Sequence, residues 1–396
     1  MDRRRFLQVT GTGALIGTIG TAEAQTPAGT TALAPFAFVG APVLQNLSSD
    51  GVTVVWAVNS ACTGWVEYGE APSLGRKNDG ADGGLMPLDS TVFKIRLDGL
   101  TAGKTYFYRV GVAPIDFRSA YDIRRAEPVY SPTYHFTVPT GVKAGTVSFS
   151  VINDTHENQA TLQQLMPLLK AGQTDFTFWN GDVFNEIRSE TQIAQQFLAP
   201  AGAPFAAETP LFLGRGNHDV RGVAARDLHR FVDLPGGRYY YSFRQGPVAF
   251  LVLDTGEDKP DSHPAYAGLG DFAAYRTEQQ TWLKKAITEK EFRSAPFRVV
   301  FAHIPLLGKY HCEDGRAKWH DLLVKGKVDL VISGHTHRFA YHAPEAGRPY
   351  GQLIGGGPQV AVATLIRGKA DNRELKVTMQ KLDGTEVGSY VFPRTG

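Results

Sequence analysis

Five short polar blocks, each at the end of an apolar run, constrain this 396-residue chain more than any other feature. Apolar runs of this length are typical of buried β-strands. In open α/β sheets, functional side chains gather beyond the carboxyl ends of the strands. We therefore expect side chains from five distant stretches to meet in one cleft. The blocks contribute, in chain order, Asp154 and His156; Asp182; Asn217, His218 and Asp219; His303; and His335 and His337.

The residue types in these blocks match the ligand set of a site for two divalent metals. Carboxylates and neutral imidazoles bind such ions, and the two oxygens of Asp182 can serve one ion each. Any one block alone has an ordinary structural explanation, such as a helix cap at Asp154 or a packed core histidine at His303. All five in order favour a metal site. Two metals about 3.5–4 Å apart clamp the attacking and leaving oxygens of a displacement at phosphorus, so the sequence predicts a hydrolase of phosphate esters.

The pattern after residue 145 predicts an α/β fold. Apolar runs alternate with stretches of helical spacing, including 159–169 and an amphipathic helix over 277–290. Hairpins are expected at Gln245 and Gly246 and at residues 382–384. We predict an α/β/β/α sandwich over residues 145–396.

An all-β module is predicted for residues 36–139. Short alternating strands separated by turn residues indicate an antiparallel sandwich. The stretch from Leu97 to Tyr106 is similar to a strand entry that builds a buried tyrosine corner. The module resembles a fibronectin type III-like domain. Residues 25–35, which are small, polar and proline-containing, are expected to form a linker.

Residues 1–24 have the features of a bacterial signal peptide. Arg3 and Arg4 precede Phe6, a short apolar stretch follows, and Ala22 to Ala24 offers a cleavage site. The arginine pair resembles the twin-arginine type. This predicts the twin-arginine export machinery as a partner, a periplasmic or secreted location, and no stable membrane span after processing.

Charge and cysteine content limit the other functions. The chain carries 41 basic and 39 acidic residues, a net charge of +2, so no excess of positive charge indicates nucleic-acid binding. The two cysteines, Cys62 and Cys312, belong to different predicted modules. Both are taken as free thiols, although an oxidising compartment would permit a disulfide between them.

The ordered blocks resemble those of the calcineurin-like metallophosphoesterases over residues 145–345. With the β module in front, the layout is similar to purple acid phosphatases and secreted bacterial relatives. The resemblance implies two divalent ions, most often Fe, Zn or Mn, and a hydroxide between them that attacks phosphorus. It implies a first metal site of Asp154, His156, the bridging Asp182 and His337, a second of Asp182, Asn217, His303 and His335, His218 as the proton donor to the leaving group, and Asp219 as its orienting partner.

The chain departs from purple acid phosphatases at two positions. His156 stands where that family has glycine, and Asn185 stands where it has the tyrosine that colours ferric iron. We therefore expect an uncoloured, divalent centre. Asn185 and Arg215 are candidate substrate contacts, with helix capping an alternative for Asn185 and surface exposure for Arg215.

Three functions are compatible with these residues. The first is a secreted phosphomonoesterase for small-molecule phosphate esters. The second is a phosphodiesterase of the same fold that acts on nucleotides or phospholipid head groups. The third is an inactive metal-binding protein that grips a partner through its β module, against which the intact donor set argues.

Overall fold

The computed structural model describes residues 36–394, which lie within one compact unit. The signal peptide predicted for residues 1–24 and the linker predicted for residues 25–35 fall outside the described residues. No helix among residues 36–394 is long and apolar enough to cross a membrane. Cys62 and Cys312 are both buried free thiols.

The N-terminal part of the described chain contains nine strands in two sheets. One sheet has the order β1-β2-β5, and the other has the order β4-β3-β6-β7, with β8 and β9 also pairing with β6. The hydroxyl of Tyr106 accepts a hydrogen bond from the backbone N–H of Thr101 at 3.2 Å, as expected of a tyrosine corner. The strands are β1 (Val43–Gln45), β2 (Gly51–Ala57), β3 (Cys62–Gly69), β4 (Arg76–Asn78), β5 (Val92–Asp98), β6 (Thr105–Ser119), β7 (Asp122–Arg125), β8 (Val129–Tyr130) and β9 (Tyr134–Thr137).

The three-stranded sheet is buried on both faces. Val54 and Trp56 of β2 belong to the core between the two N-terminal sheets. Val55 and Ala57, which point the other way, belong to the core of the C-terminal part of the chain. Successive side chains of a strand face opposite sides, so this sheet is a shared layer of two adjacent cores.

The C-terminal part contains two six-stranded mixed sheets, ordered β12-β11-β10-β19-β20-β21 and β13-β14-β15-β16-β18-β17. Its strands are β10 (Val147–Ile152), β11 (Phe176–Asn180), β12 (Leu211–Gly214), β13 (Tyr241–Gln245), β14 (Val248–Leu253), β15 (Phe297–Ala302), β16 (Leu330–Ser333), β17 (Ala340–His342), β18 (Gly351–Ile354), β19 (Thr364–Ala370), β20 (Glu374–Lys381) and β21 (Glu386–Pro393). Its α-helices are α1 (Gln159–Leu165), α2 (Glu190–Ile193), α3 (Ala199–Ala201), α4 (Leu228–Phe231), α5 (Phe272–Ala286), α6 (Lys290–Arg293) and α7 (Glu313–Lys325).

Side chains on opposite faces of the strands pack the two sheets against each other and against the helices. Phe178 of β11 stacks on Phe301 of β15 with ring centroids 3.9 Å apart, which places them in the core between the sheets. The next residue, Trp179, faces outward and packs against Phe197 in the helical stretch 190–206, with ring centroids 5.6 Å apart. On the outer face of the second sheet, α5 and α7 bury Leu283 and Trp319 in a separate apolar cluster. The predicted α/β/β/α sandwich with a β-rich part before it is therefore confirmed.

The predicted helix over 277–290 begins earlier, at Phe272. The carboxylate of Asp261 accepts hydrogen bonds from the backbone N–H groups of Phe272 and Ala273. An acceptor eleven residues upstream thus satisfies the N-terminal N–H groups of the helix. The sequence of the helix itself does not indicate this distant acceptor.

Candidate metal centre

Each of the five blocks follows a strand at the same edge of the two central sheets. Strands β10, β11 and β12 run parallel in one sheet, and β15 and β16 run parallel in the other. Their carboxyl ends therefore present the blocks side by side. Two groups of side chains with closely spaced ligand atoms result, one of Asp154, His156, Asp182 and His337 and the other of Asp182, His303 and His335.

The backbone of this cleft is strained at the candidate ligands. Asp154, His156, Asp182, His335 and His337 all have φ between 45° and 70°. Non-glycine residues seldom occupy this left-handed region, and such residues concentrate at functional sites. Strained backbone is therefore tolerated at the residues whose side chains line the cleft.

Glycines permit the close approach of the loops. A Cβ atom at Gly216 would lie 2.1 Å from a carboxylate oxygen of Asp182, and one at Gly334 would lie 2.2 Å from a carboxylate oxygen of Asp154. These distances are far below van der Waals contact. The glycine before each histidine block is therefore required by packing against a carboxylate.

The first group is compact and buried. His156 Nε2 lies 3.3 Å from Asp182 Oδ2 and 3.0 Å from His337 Nε2. His337 Nε2 lies 3.4 Å from Asp154 Oδ1. Asp154 is fully buried, and Asn153 Nδ2 donates to its Oδ2 at 2.6 Å. Two imidazole nitrogens and two carboxylates therefore converge on one point.

The second group shares Asp182 with the first. His303 Nε2 lies 3.2 Å from Asp182 Oδ2, and Asn217 Oδ1 lies 2.8 Å from His335 Nδ1. The other ring nitrogen of His303, Nδ1, donates to the carbonyl of Asn180 at 2.7 Å, so Nε2 is the ring nitrogen that faces the cleft. That Nε2 atom is buried and makes no hydrogen bond within the described residues. A buried, unpartnered imidazole nitrogen directed at a carboxylate fits a metal ligand.

The electrostatics of the cleft favour positive charge. Burial lowers the pKa of His303, but Asp182 and Asp154 more than offset this and raise it to about 10. The pKa of His156 rises to about 9 because the same two carboxylates outweigh burial. Burial and the neighbouring His303 lower the pKa of His335 to about 4. No lysine or arginine neutralises these buried carboxylates among the described residues. Protons on the histidines or bound metal cations would therefore neutralise their charge.

Asp219 does not orient His218, which corrects the sequence-based expectation. Its Oδ2 accepts the backbone N–H groups of Asp182 and Gly216, each at 2.8 Å. Its Oδ1 accepts those of Val183 at 3.0 Å and Phe184 at 3.2 Å. Burial and the nearby Asp182 raise its pKa to about 7, against the effect of these N–H donors. Asp219 therefore joins the loop after β11 to the loop after β12.

His218 stands beside the first group, and its ring is held by groups other than Asp219. Its Nδ1 lies 2.8 Å from the carbonyl oxygen of Asn185, which can only accept. Its ring centroid lies 4.7 Å from that of His156. Arg221 Nη1 lies 3.0 Å from His218 Nε2. Burial lowers the pKa of His218, and the charge of Arg221 adds to that effect.

Neither candidate substrate contact has the expected surroundings. The guanidinium of Arg215 donates through Nε and Nη2 to Asp254 Oδ2, at 2.8 and 2.6 Å, and lies over the ring of Tyr239. Its guanidinium is therefore already paired with a carboxylate, and Arg215 is not an exposed arginine. The side chain of Asn185 donates to the carbonyl of His156 at 3.0 Å. The cap of α2 is Ser189, so Asn185 does not cap that helix either.

Sequence reasoning missed Arg221 and the acids that hold it. Arg221 Nε and Nη2 donate to the two carboxylate oxygens of Glu257, at 2.6 and 2.7 Å. Glu257 is almost completely buried, with 2 % of its surface exposed. The only sequence signal was the position of Arg221 three residues after His218.

Comparison with known proteins agrees with this geometry. The family model described as calcineurin-like phosphoesterase matches residues 147–339. The human serine/threonine-protein phosphatase CPPED1 is 30% identical over 141 residues, 33% of this chain and 42% of that protein. Purple acid phosphatase 22 of Arabidopsis thaliana is 22% identical over 298 residues, 69% of this chain and 60% of that protein. The chain therefore spans less than two thirds of the length of these curated relatives.

Two solved structures share the fold over most of the described chain. The purple acid phosphatase PPD1 of yellow lupin (Lupinus luteus) superposes with a TM-score of 0.68 at 18% identity, covering 89% of this chain and 74% of that one. The structure of PhoD superposes with a TM-score of 0.62 at 13% identity, covering 90% and 88%. Both coverages extend beyond residues 147–339, so the fold shared with them includes the N-terminal β-rich part.

Proposed function

We propose that this chain, whose residues 147–339 match the calcineurin-like phosphoesterase family, is a metal-dependent hydrolase of phosphate esters. One observation carries the proposal. Asp182 belongs to two adjacent groups of metal-type donors, and His303 Nε2, which faces it, is buried without a hydrogen-bond partner among the described residues. A carboxylate shared by two donor sets is the arrangement that a pair of divalent cations requires.

Each donor has an assigned place in this proposal. Asp154, His156, Asp182 and His337 would hold one cation, and Asp182, Asn217, His303 and His335 would hold the second. Two divalent cations bound there would offset the charge of the phosphoryl oxygens and activate water for attack on phosphorus. Fe, Zn and Mn suit imidazole and carboxylate ligands. Since Asn185 replaces the purple acid phosphatase tyrosine and its amide contacts a backbone carbonyl, we propose divalent, uncoloured metals.

His218 is the proposed proton donor to the leaving group. The Asn185 carbonyl fixes its ring through Nδ1, so Nε2 is the atom at which the transferable proton is held. Arg221 can only donate, and at 3.0 Å it opposes a proton on that atom. A phosphoryl oxygen of the substrate would give Arg221 Nη1 an alternative acceptor, so substrate binding would free Nε2 to carry its proton.

The test combines metal analysis with a substrate panel. The purified protein is expected to contain close to two divalent ions per chain and to release phosphate from aryl phosphate monoesters, with aryl diesters as the comparison. The variant Asp182→Ala is expected to lose both metals and nearly all turnover, because it removes the shared ligand. Bound metal with no cleavage of either ester class would contradict the proposal and favour a metal-binding protein without activity.

Export is a second part of the proposal. We propose that residues 1–24 direct the chain through the twin-arginine route to the periplasm or the exterior. The double variant Arg3→Lys and Arg4→Lys is expected to leave an unprocessed precursor in the cytoplasm. Normal processing of that variant would contradict this route.

A further inference from the structure

A cavity of about 450 Å³ lies next to a side chain that contacts His218. Arg221, whose Nη1 lies 3.0 Å from His218 Nε2, is one of its lining residues. Glu186, the residue after Asn185, lines it as well. The ring of His156 also contacts that of His218, with ring centroids 4.7 Å apart. Contacts therefore lead from the candidate ligand His156 through His218 to Arg221, which lines the cavity.

The cavity wall is part apolar and part cationic. Tyr266, Leu269 and Phe272 supply aromatic and aliphatic surface, and Leu269 is 72% exposed. Arg226 and Lys259 supply positive charge. Exposed apolar surface around a concave site is a usual feature of ligand pockets.

The acids around the cavity are already neutralised. Glu257 forms the ion pair with Arg221, Asp258 pairs with Lys259 at 2.7 Å, and Glu186 pairs with Arg188 at 3.2 Å. The guanidinium of Arg226 has no ion-pair partner within residues 36–394. The cavity therefore keeps one uncompensated positive charge, that of Arg226.

From this geometry we infer that the cavity binds the leaving group of the ester and selects leaving groups that have an aromatic body and a negative charge of their own. The inference rests on the proposed phosphoester hydrolysis. With phosphorus at the metal centre and the leaving oxygen at His218 Nε2, the organic part of the substrate continues past Arg221 into the cavity. Arg226 then meets its anionic group, while Leu269 and the two aromatic side chains cover its ring.

The kinetic test compares phenyl phosphate with 3-carboxyphenyl phosphate, which differ in one carboxylate. The wild-type protein is expected to have the higher kcat/KM for the carboxylated ester. Arg226→Gln should lower the ratio of the two kcat/KM values roughly threefold to fivefold, as for one partly exposed ion pair, with the loss falling mainly on the carboxylated ester. Arg373→Gln, which removes an exposed arginine at the turn between β19 and β20, controls for net charge and should leave the ratio unchanged.

A second variant examines the apolar wall. Leu269→Ser should reduce kcat/KM for both aryl esters while glycerol phosphate, which has no ring, is hydrolysed as before. Equal ratios in the wild type, Arg226→Gln and Arg373→Gln would overturn the inference. Hydrolysis of phenyl phosphate with equal ratios refutes only the leaving-group cavity and leaves the proposed function standing.

A binding measurement separates the two proposals further. Titration with 3-hydroxybenzoate and with phenol requires no turnover, and 3-hydroxybenzoate should bind wild type more tightly than Arg226→Gln. If no ester is hydrolysed, the proposed function and this inference fail together, and any 3-hydroxybenzoate binding then belongs to a site with another role. If neither compound binds and the esters are nevertheless cleaved without discrimination, the inference alone fails.

Discussion

Asp219→Asn is the substitution that best separates a structural role from a catalytic one. The four backbone N–H groups bound by Asp219 come from Asp182, Val183, Phe184 and Gly216. Asparagine has the same shape, but one of its two terminal groups is a donor. Whichever way the amide is turned, two buried N–H groups would face an NH₂ group.

The cost follows from those two donors. Each buried polar group left without a partner costs about 1–3 kcal/mol, so Asp219→Asn should lower the free energy of unfolding by roughly 2–6 kcal/mol. That is a large share of the roughly 5–15 kcal/mol typical of folded proteins. The loops that carry Asp182 and Asn217 would also separate, so metal affinity should fall together with stability.

The assay pairs denaturant unfolding with metal content, measured on the wild type and two variants. Asp175→Asn is the matched control, because the exposed carboxylate of Asp175 also accepts a backbone N–H, from Ser148 at 2.6 Å, but water can replace it. The control should lose less than about 1 kcal/mol. An Asp219→Asn protein with normal stability and normal metal content, but a slower turnover, would refute the loop-joining role and restore an orienting role toward His218.

Three further predictions follow from single groups. His218→Ala should retain its metals and its unfolding midpoint and lose about 10²–10⁴-fold in kcat, most for alkyl phosphates and least for 4-nitrophenyl phosphate; wild-type rates on alkyl phosphates would contradict this. Arg215→Leu should lose about 3–5 kcal/mol of stability because it leaves the buried carboxylate of Asp254 unpaired; a raised KM at unchanged stability would instead indicate a substrate contact. Burial raises the pKa of Asp329 to about 6, so the folded state binds more protons between about pH 4 and 6 and loses that stabilisation as the pH rises through this range. The free energy of unfolding of Asp329→Asn, taken relative to wild type, should therefore be roughly 1–2 kcal/mol more favourable at pH 8 than at pH 4. A difference in urea midpoint between variant and wild type that is the same at both pH values would contradict this.

The sequence predicted which candidate ligands would come together, because each is marked both by its residue type and by its place after an apolar run. Asp154, Asp182 and His303 follow β10, β11 and β15 as the pattern indicated. Parallel strands then bring such positions together whatever their separation along the chain.

The surroundings of these residues could not be predicted from the same pattern. Asp219 lies next to His218 in the chain, but its carboxylate is directed at backbone N–H groups of another loop. Arg215 pairs with an acid 39 positions away. Partners of this kind depend on how loops fold back on each other, which periodicity does not record.

The sheet of β1, β2 and β5 determines how far the chain can be shortened. Removing the N-terminal β module would take away Val55 and Ala57, which are at most 1 % exposed and belong to the core of the C-terminal part, and would open to solvent the side of that core that they cover. A fragment starting at residue 145 should therefore aggregate or fail to accumulate, and the module cannot be exchanged as an independent attachment.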